Sequence, residues 1–205
     1  MKLIEKYHQN HVYGRRVHVL AKHLASLIPT GAKILDVGCG DGRLSSIILN
    51  LRQDVTIVGV DVLLREKSFI NVMLYDGKIL PFKENEFDVV LFIDVLHHTT
   101  NQLELLQEAI RVTSDIIIIK DHLNNNWFDN KLLILMDRVG NRRFGVNLSF
   151  EYWSLSTWNE AFHKLNLSVS HWISKLHLYQ FPLNLLFDRN LHFISALKKD
   201  GNNPT

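Results

Sequence analysis

Apolar and polar positions alternate between two rhythms along this chain. In "GRRVHVLAKHLASLIP", Val17, Leu20, Leu24, Leu27 and Ile28 recur at helical spacing, which predicts an amphipathic helix closed by Pro29. "KILDVG" is a short, continuous apolar run and reads as a buried strand. A second helix follows, with Leu44, Ile47, Ile48 and Leu51 on one side. "VTIVGVD", "INVMLYD", "FDVVLFIDVLHH" and "IIIIKDH" repeat the strand design. Between the last two, Asn101 to Val112 is predicted helical, with Leu103, Leu106, Ala109 and Ile110 on one face. Strands that are apolar throughout are buried on both faces, as in a parallel sheet covered by helices. Their alternation with helices gives the α/β class.

The remainder is less regular. "NKLLILMDRV" predicts a helix and "GNRRFGVNLSFEYW" a loop, and together they are too long for a simple crossover. "STWNEAFHKLN" predicts a further helix with Ser156 as its N-cap, and "LSVSHWI" and "LHFISALKK" two more strands. The chain is expected to form one domain: 1–30 an N-terminal helical cap, 31–122 a cofactor-binding half, 123–155 a substrate-side cap, and 156–199 a closing helix and strands. The tail "KKDGNNPT" reads as disordered.

Composition changes this picture little. The 205 residues are 46% apolar and 21% charged, which suits one ordinary globular domain with a full core. A net charge of +2 gives no general reason to expect nucleic acid or an anionic membrane as partner. Charge is uneven, with five Lys/Arg against Glu5 in residues 1–30 and seven acids against two lysines in 76–108. Either stretch can be a solvated helix face or a docking surface. One cysteine, Cys39, excludes an internal disulfide and suits a reducing compartment. No stretch approaches the ~18 apolar residues of a membrane span. The expectation is a soluble, cytoplasmic protein.

The chemistry concentrates in "ILDVGCGDG", residues 34–42. Its glycines fall at 38, 40 and 42, whereas a dinucleotide fingerprint places the third one residue later. Asp36 and Asp41 flank the turn and would repel a pyrophosphate; a cationic ligand would find them favourable. Glycines at 38 and 40 let backbone approach a ligand without a Cβ in the way. Asp61, nineteen residues beyond Gly42 and ending the next strand, is placed to accept from both hydroxyls of a ribose. Asp76 follows the third strand, where it can serve a ligand or simply form the turn before Gly77. Cys39 fits small-residue filling better than a catalytic thiol, since nothing basic adjoins it in sequence.

Taken with "VGVDV" and "YDGKILPFKENEFDVVLFIDVLHH" in order behind it, "ILDVGCGDG" resembles the class I S-adenosylmethionine-dependent methyltransferases of the small single-domain kind. The resemblance covers residues 14–122 in motif detail and the two C-terminal strands more loosely. It implies a Rossmann-like three-layer sandwich with a mostly parallel seven-stranded sheet and an antiparallel C-terminal strand. It also implies S-adenosyl-L-methionine as cofactor, held by Asp36, Gly38, Cys39, Gly40, Asp61, Val62, Asp76, Gly77, Ile93 and Asp94. Asp36 would order the turn and the ligand's ammonium, Asp76 would take the adenine amino group, and Ile93 and Asp94 would present backbone to the methionine part.

On the acceptor side, Asp94, His97, His98, Lys120, Asp121 and His122 all follow apolar runs at the edge where such sheets bind ligands. His122 is the expected catalytic base if the acceptor is a hydroxyl, with turnover rising through an ordinary histidine pKa, and Asp121 is expected to orient it or to bind substrate. Strand-end caps and loop hydrogen bonds explain these residues equally well. No metal is expected, because no helical i, i+4 ligand pair or short Cys/His spacing is present. Arg142 and Arg143 suit a substrate carboxylate or a solvated loop; Tyr13, Arg15 and Arg16 open the first helix. The expected acceptor is a small polar molecule, without nucleic acid or membrane partner. The alternative is a cofactor-binding module that does not transfer methyl groups and acts through protein interaction.

Overall fold

The computed structural model describes residues 14–141 and 149–200, so Tyr13, Arg142 and Arg143 lie outside it. Its elements are α1 (Gly14–Leu27), β1 (Lys33–Val37), α2 (Arg43–Leu51), β2 (Thr56–Asp61), β3 (Val72–Leu74), β4 (Phe87–Ile93), α3 (Gln102–Val112), β5 (Thr113–His122), α4 (Trp127–Asn141), α5 (Leu155–Lys164), β6 (Leu167–Ile173), α6 (Asn184–Phe187) and β7 (His192–Lys199). The seven strands form one sheet in the order β3-β2-β1-β4-β5-β7-β6. β7 runs antiparallel to both its neighbours, and the other pairs are parallel. The Rossmann-like, mostly parallel arrangement with an antiparallel C-terminal strand is therefore as expected.

The period of two in each strand sorts its side chains onto two faces. Leu35, Val37, Val90, Phe92, Ile117 and Ile119 point to one side, where Leu105, Leu106, Ala109, Trp158 and Phe162 of α3 and α5 cover them. Ile34, Val89, Leu91, Ile116 and Ile118 point to the other, under Leu20, Ala21 and Leu24 of α1 and Ile48 of α2. Burial on both faces is why these strands read as unbroken apolar runs. β3 is the exception. Only Val72–Leu74 pair, at the sheet's edge, and Met73 and Leu74 stay exposed.

Local details depart from the sequence reading. α5 is capped by Ser154, whose hydroxyl accepts from the Thr157 N–H at 3.2 Å, and not by Ser156. β4 stops at Ile93, and Leu96–His98 form a 3₁₀ turn. α4 is longer than "NKLLILMDRV" suggested, and α6 occupies a stretch for which no element was predicted.

Trp158 ties the upper layer together. Its ring lies 4.8 Å from Trp153 and 5.2 Å from Phe193, and its indole N–H donates to the His122 carbonyl at 3.3 Å. Trp158→Ala is expected to cost about 3–5 kcal/mol by cavity formation. A lowered urea midpoint at unchanged slope would register this, and a midpoint within error of wild type would mean the layer closes without it.

Candidate active site

Crossovers leave β1 toward β2 on one side, and β4 lies on the other, so the crevice between β1 and β4 is where a ligand enters such a sheet. The glycine turn forms its floor. Gly38 and Cys39 both donate backbone N–H groups to the Val60 carbonyl, at 2.8 and 3.2 Å, folding the turn over β2. Asp61 then locks it: one carboxylate oxygen accepts from the Gly40 N–H at 2.8 Å and the other from the Leu63 N–H at 2.9 Å. Each oxygen keeps a second lone pair for a ligand hydroxyl.

The three glycines, all at positive φ, divide into two kinds. A Cβ on Gly38 would meet Val95 at 2.6 Å and one on Gly42 would meet Ile70 at 2.4 Å, so the protein's own packing requires both to be glycine. A Cβ on Gly40 would meet nothing within 4 Å. The space above Gly40 is a cradle that the fold leaves open.

Around it stand groups suited to a cation bearing a sugar and a flat ring. Asp36 is buried and accepts from the Ser45 hydroxyl at 2.6 Å; burial pushes its carboxyl up to about 7. Val62 is exposed and lies against Gly77, at which a Cβ would come within 3.1 Å of it, and Ile79 is exposed nearby in sequence. Asp76 takes the turn-forming role, one oxygen accepting from Lys78 and Ile79 N–H at 2.8 and 2.9 Å. Cys39 packs over Gly59, and burial, then Asp36 and Asp61, push its thiol far up, so it is no nucleophile. Ile93 contributes its side chain to the lower core. These residues fit S-adenosylmethionine in donor type and shape.

The other wall is a buried polar cluster that joins four elements. Lys120 is fully buried, and its ammonium bonds to Asp94 and lies 3.4 Å from His192 Nδ1. Arg16, reaching over from α1, binds the second Asp94 oxygen at 3.0 Å. Burial would raise the Asp94 carboxyl, but Lys120 and then Arg16 hold it well below the usual range. Asp94 itself sits at φ +57° at the end of β4. Its side chain is thus engaged in the cluster, beyond the backbone role expected of it.

His97 and Asp121 form the second half. Asp121 accepts from His97 Nδ1 at 2.6 Å, from the His122 N–H at 2.7 Å and from the Leu96 N–H at 3.2 Å. His97 Nε2 faces Asp137 at 3.2 Å, and the Tyr152 hydroxyl donates to the same Asp137 oxygen at 2.5 Å. Burial opposes a charge on His97, but Asp121 and then Asp137 outweigh it and raise its pKa to about 10. Asp121 therefore orients His97, and the expectation that it orients His122 is corrected. His122 lies within the cluster, its ring 4.6 Å from His97 and 4.8 Å from His192 and its Nε2 3.4 Å from Asp94, and burial, Lys120 and His97 push it down to about 3. Its pKa thus departs from the ordinary histidine value expected of it.

His97 belongs to both sets of side chains close enough to share an ion, with Asp121 and His122, and with His98 and Asp137. Ligation there would have to strip a proton and a carboxylate from it. Of the cluster, Asp137 and Tyr152 come from the segment 123–155 expected to cap the substrate side, and Arg16 from the residues that open the first helix. His192 carried no signal, since a lone histidine opening a strand looks like a cap.

The description "Methyltransferase domain" fits a family model that matches residues 6–171. The chain belongs to the methyltransferase domain family. Among the relatives of this methyltransferase-family chain, a tRNA (carboxymethyluridine(34)-5-O)-methyltransferase of Schizosaccharomyces pombe is 35% identical over 45% of the chain and 42% of the relative. A 27-O-demethylrifamycin SV methyltransferase of Amycolatopsis mediterranei is 28% identical over 45% of the chain and 39% of the relative. The chain thus spans less than half the length of these curated relatives. A solved S-adenosylmethionine-dependent methyltransferase of Thermotoga maritima shares the fold at a TM-score of 0.63 and 15% identity, over 97% of this chain and 95% of that one. S-adenosylmethionine is the cofactor that this family membership brings with it.

The His97 charge has a testable sign. Its pKa is 6.5 when unfolded and about 10 when folded, so its contribution is whole below about pH 6.5 and is lost as pH rises toward 10. His97→Gln, which leaves two buried carboxylates uncompensated, is expected to cost about 3–5 kcal/mol at pH 6. Denaturant midpoints of the two proteins should converge between pH 6.5 and 10; a gap constant over that range would mean that His97 is neutral.

Proposed function

We propose that this chain transfers the methyl group of S-adenosylmethionine to an oxygen or nitrogen of a small polar molecule. The observation that carries the reading is the open cradle over Gly40, walled by Asp61 on one side and by the Asp94–Lys120–Arg16 cluster on the other. When bound, the cofactor supplies an activated methyl group on a sulfonium. Asp61 holds the ribose, Asp36 the ammonium end, Val62 and Gly77 the face of the adenine, and Asp76 its amino group. Gly38, Cys39, Gly40, Ile93 and Asp94 line the methionine part. Placing the acceptor in line with the sulfonium supplies much of the rate, and the rigid ion pairs at the ends of β4 and β5 are suited to that positioning.

His122 is the group we assign to the acceptor's proton, through its buried Nδ1, which has no partner among the described residues. Burial, Lys120 and His97 keep the imidazole neutral, with a lone pair able to take the proton of a hydroxyl acceptor as the methyl group is transferred; a neutral amine would need no base. Asp121 acts through His97 as a positioning residue. The tRNA acceptors named for relatives belong to those proteins.

Three outcomes test this. Asp61→Ala should weaken S-adenosylmethionine binding at least tenfold by calorimetry, through loss of charged hydrogen bonds worth ~1.5–3 kcal/mol each. Gly40→Val should abolish binding while the protein still melts cooperatively, and normal affinity in that variant would remove the cradle as the cofactor site. His122→Ala should lower turnover by ~10²–10⁴ with cofactor affinity intact, and the wild-type rate should be flat from about pH 5 to 8. Labelled cofactor incubated with a metabolite extract identifies the acceptor; binding without any labelled product would favour a non-catalytic cofactor module.

A further inference from the structure

α4 carries the cap. Its inner side, at Asp129, Leu132, Leu133 and Asp137, is buried, and Asp137 reaches the His97 cluster. With Tyr152, Leu191 and Phe187 of α6 this side forms a small core of its own. The outer side is not polar. Trp127 is 74% exposed, Leu135 55% and Val139 58%, in register with Lys131 at intervals of four. The segment around α6 continues the apolar surface, with Phe181 78% and Leu185 66% exposed. Arg189 connects the two, its guanidinium 5.4 Å from the Phe128 ring, and the Lys131 ammonium lies 5.8 Å from the Trp127 ring.

The charge on this face has one sign. Across residues 125–139 and 180–190 the exposed charged residues are Lys131, Arg138 and Arg189, and no carboxylate is exposed. Asp129 and Asp137 are buried, and Asp188 spends both oxygens on the Leu178 and Tyr179 N–H groups. Aliphatic and aromatic groups standing out of a ring of cations, on a helix that is 15 residues long, match the interface between acyl chains and anionic headgroups. A second copy of the chain would bring the same three cations against themselves, which disfavours it. A nucleic acid would meet the cations but has no use for exposed Leu135, Val139 and Leu185.

We infer that the outer face of the cap, Trp127, Leu135, Val139, Phe181 and Leu185 ringed by Lys131, Arg138 and Arg189, docks on an anionic lipid bilayer. The expectation of no membrane partner rested on the small net charge of +2 and on the lack of a spanning segment. No described helix is long and apolar enough to cross a membrane, but docking on a surface needs none. The inference goes beyond the methyl-transfer reading and does not depend on it.

Flotation of the whole chain with vesicles tests it. The protein is expected to float with vesicles of phosphatidylglycerol mixed equally into phosphatidylcholine, to float far less with pure phosphatidylcholine, and to be released by high salt. Lys131→Gln with Arg189→Gln should weaken partitioning on the order of thirtyfold, from ~1 kcal/mol per cation. Trp127→Ser with Leu135→Ser should weaken it at least tenfold, with melting temperature and S-adenosylmethionine affinity unchanged in both. Flotation by a wild type that binds no S-adenosylmethionine would support docking while sinking the methyl-transfer reading. Absence of flotation, equal flotation with neutral vesicles, or a wild-type dimer by light scattering that the serine changes dissolve would each overturn the inference.

Discussion

A buried ammonium must be paired, and Lys120 lies at the centre of the sheet's carboxyl edge with no access to water. Much of the acceptor side follows from that constraint. Asp94 takes a left-handed backbone conformation at the end of β4 and meets the ammonium there, and Arg16 balances its second oxygen. α1 is thereby fixed over the crevice by charge as well as by its apolar stripe. Burial, and then the fixed cation beside them, pushes down the pKa values of His192, on β7, and His122, on β5.

The fold was legible because its strongest signals are periodic. Runs such as Ile116–Ile119 and Val89–Ile93, apolar at every position, read as strands covered twice, and helices with one apolar side supply the covers. Where the sheet meets solvent the signal weakens. "INVMLYD" looks like its neighbours yet yields only Val72–Leu74, because an edge strand is covered poorly and pairs once. Ser154 and Ser156 are equivalent as letters, and only the path of the incoming chain decides which hydroxyl meets the first helical N–H groups.

The two halves of the site differ in the same way. The glycine turn, Asp61 and Asp76 are local, each following its own strand at a spacing set by the βα unit, so they could be named from the chain alone. The cluster is not local. His97 meets Asp121 and Asp137 across 24 and 40 positions, and Lys120 meets His192 across 72. No motif encodes those meetings, which arise because β4 and β5 end, β7 begins and α4 passes at the same edge. "KDH" attracted a catalytic role to its histidine, whereas Asp121 and Asp137 favour a charge on His97 against its burial, and burial with Lys120 pushes the His122 pKa down.

The place of β7 carries a different consequence, for how the chain is made. β7 is the last of the seven strands in sequence, yet it pairs between β5 and β6 and supplies the entire outer hydrogen-bonding row of β5. Until residues 192–199 have been synthesised, that row, which runs from Ile116 to His122 and opens with four isoleucines, has no partner on its outer side. Such an edge pairs readily with another chain. The nascent protein therefore passes through a stage at which its most β-prone segment is its least protected.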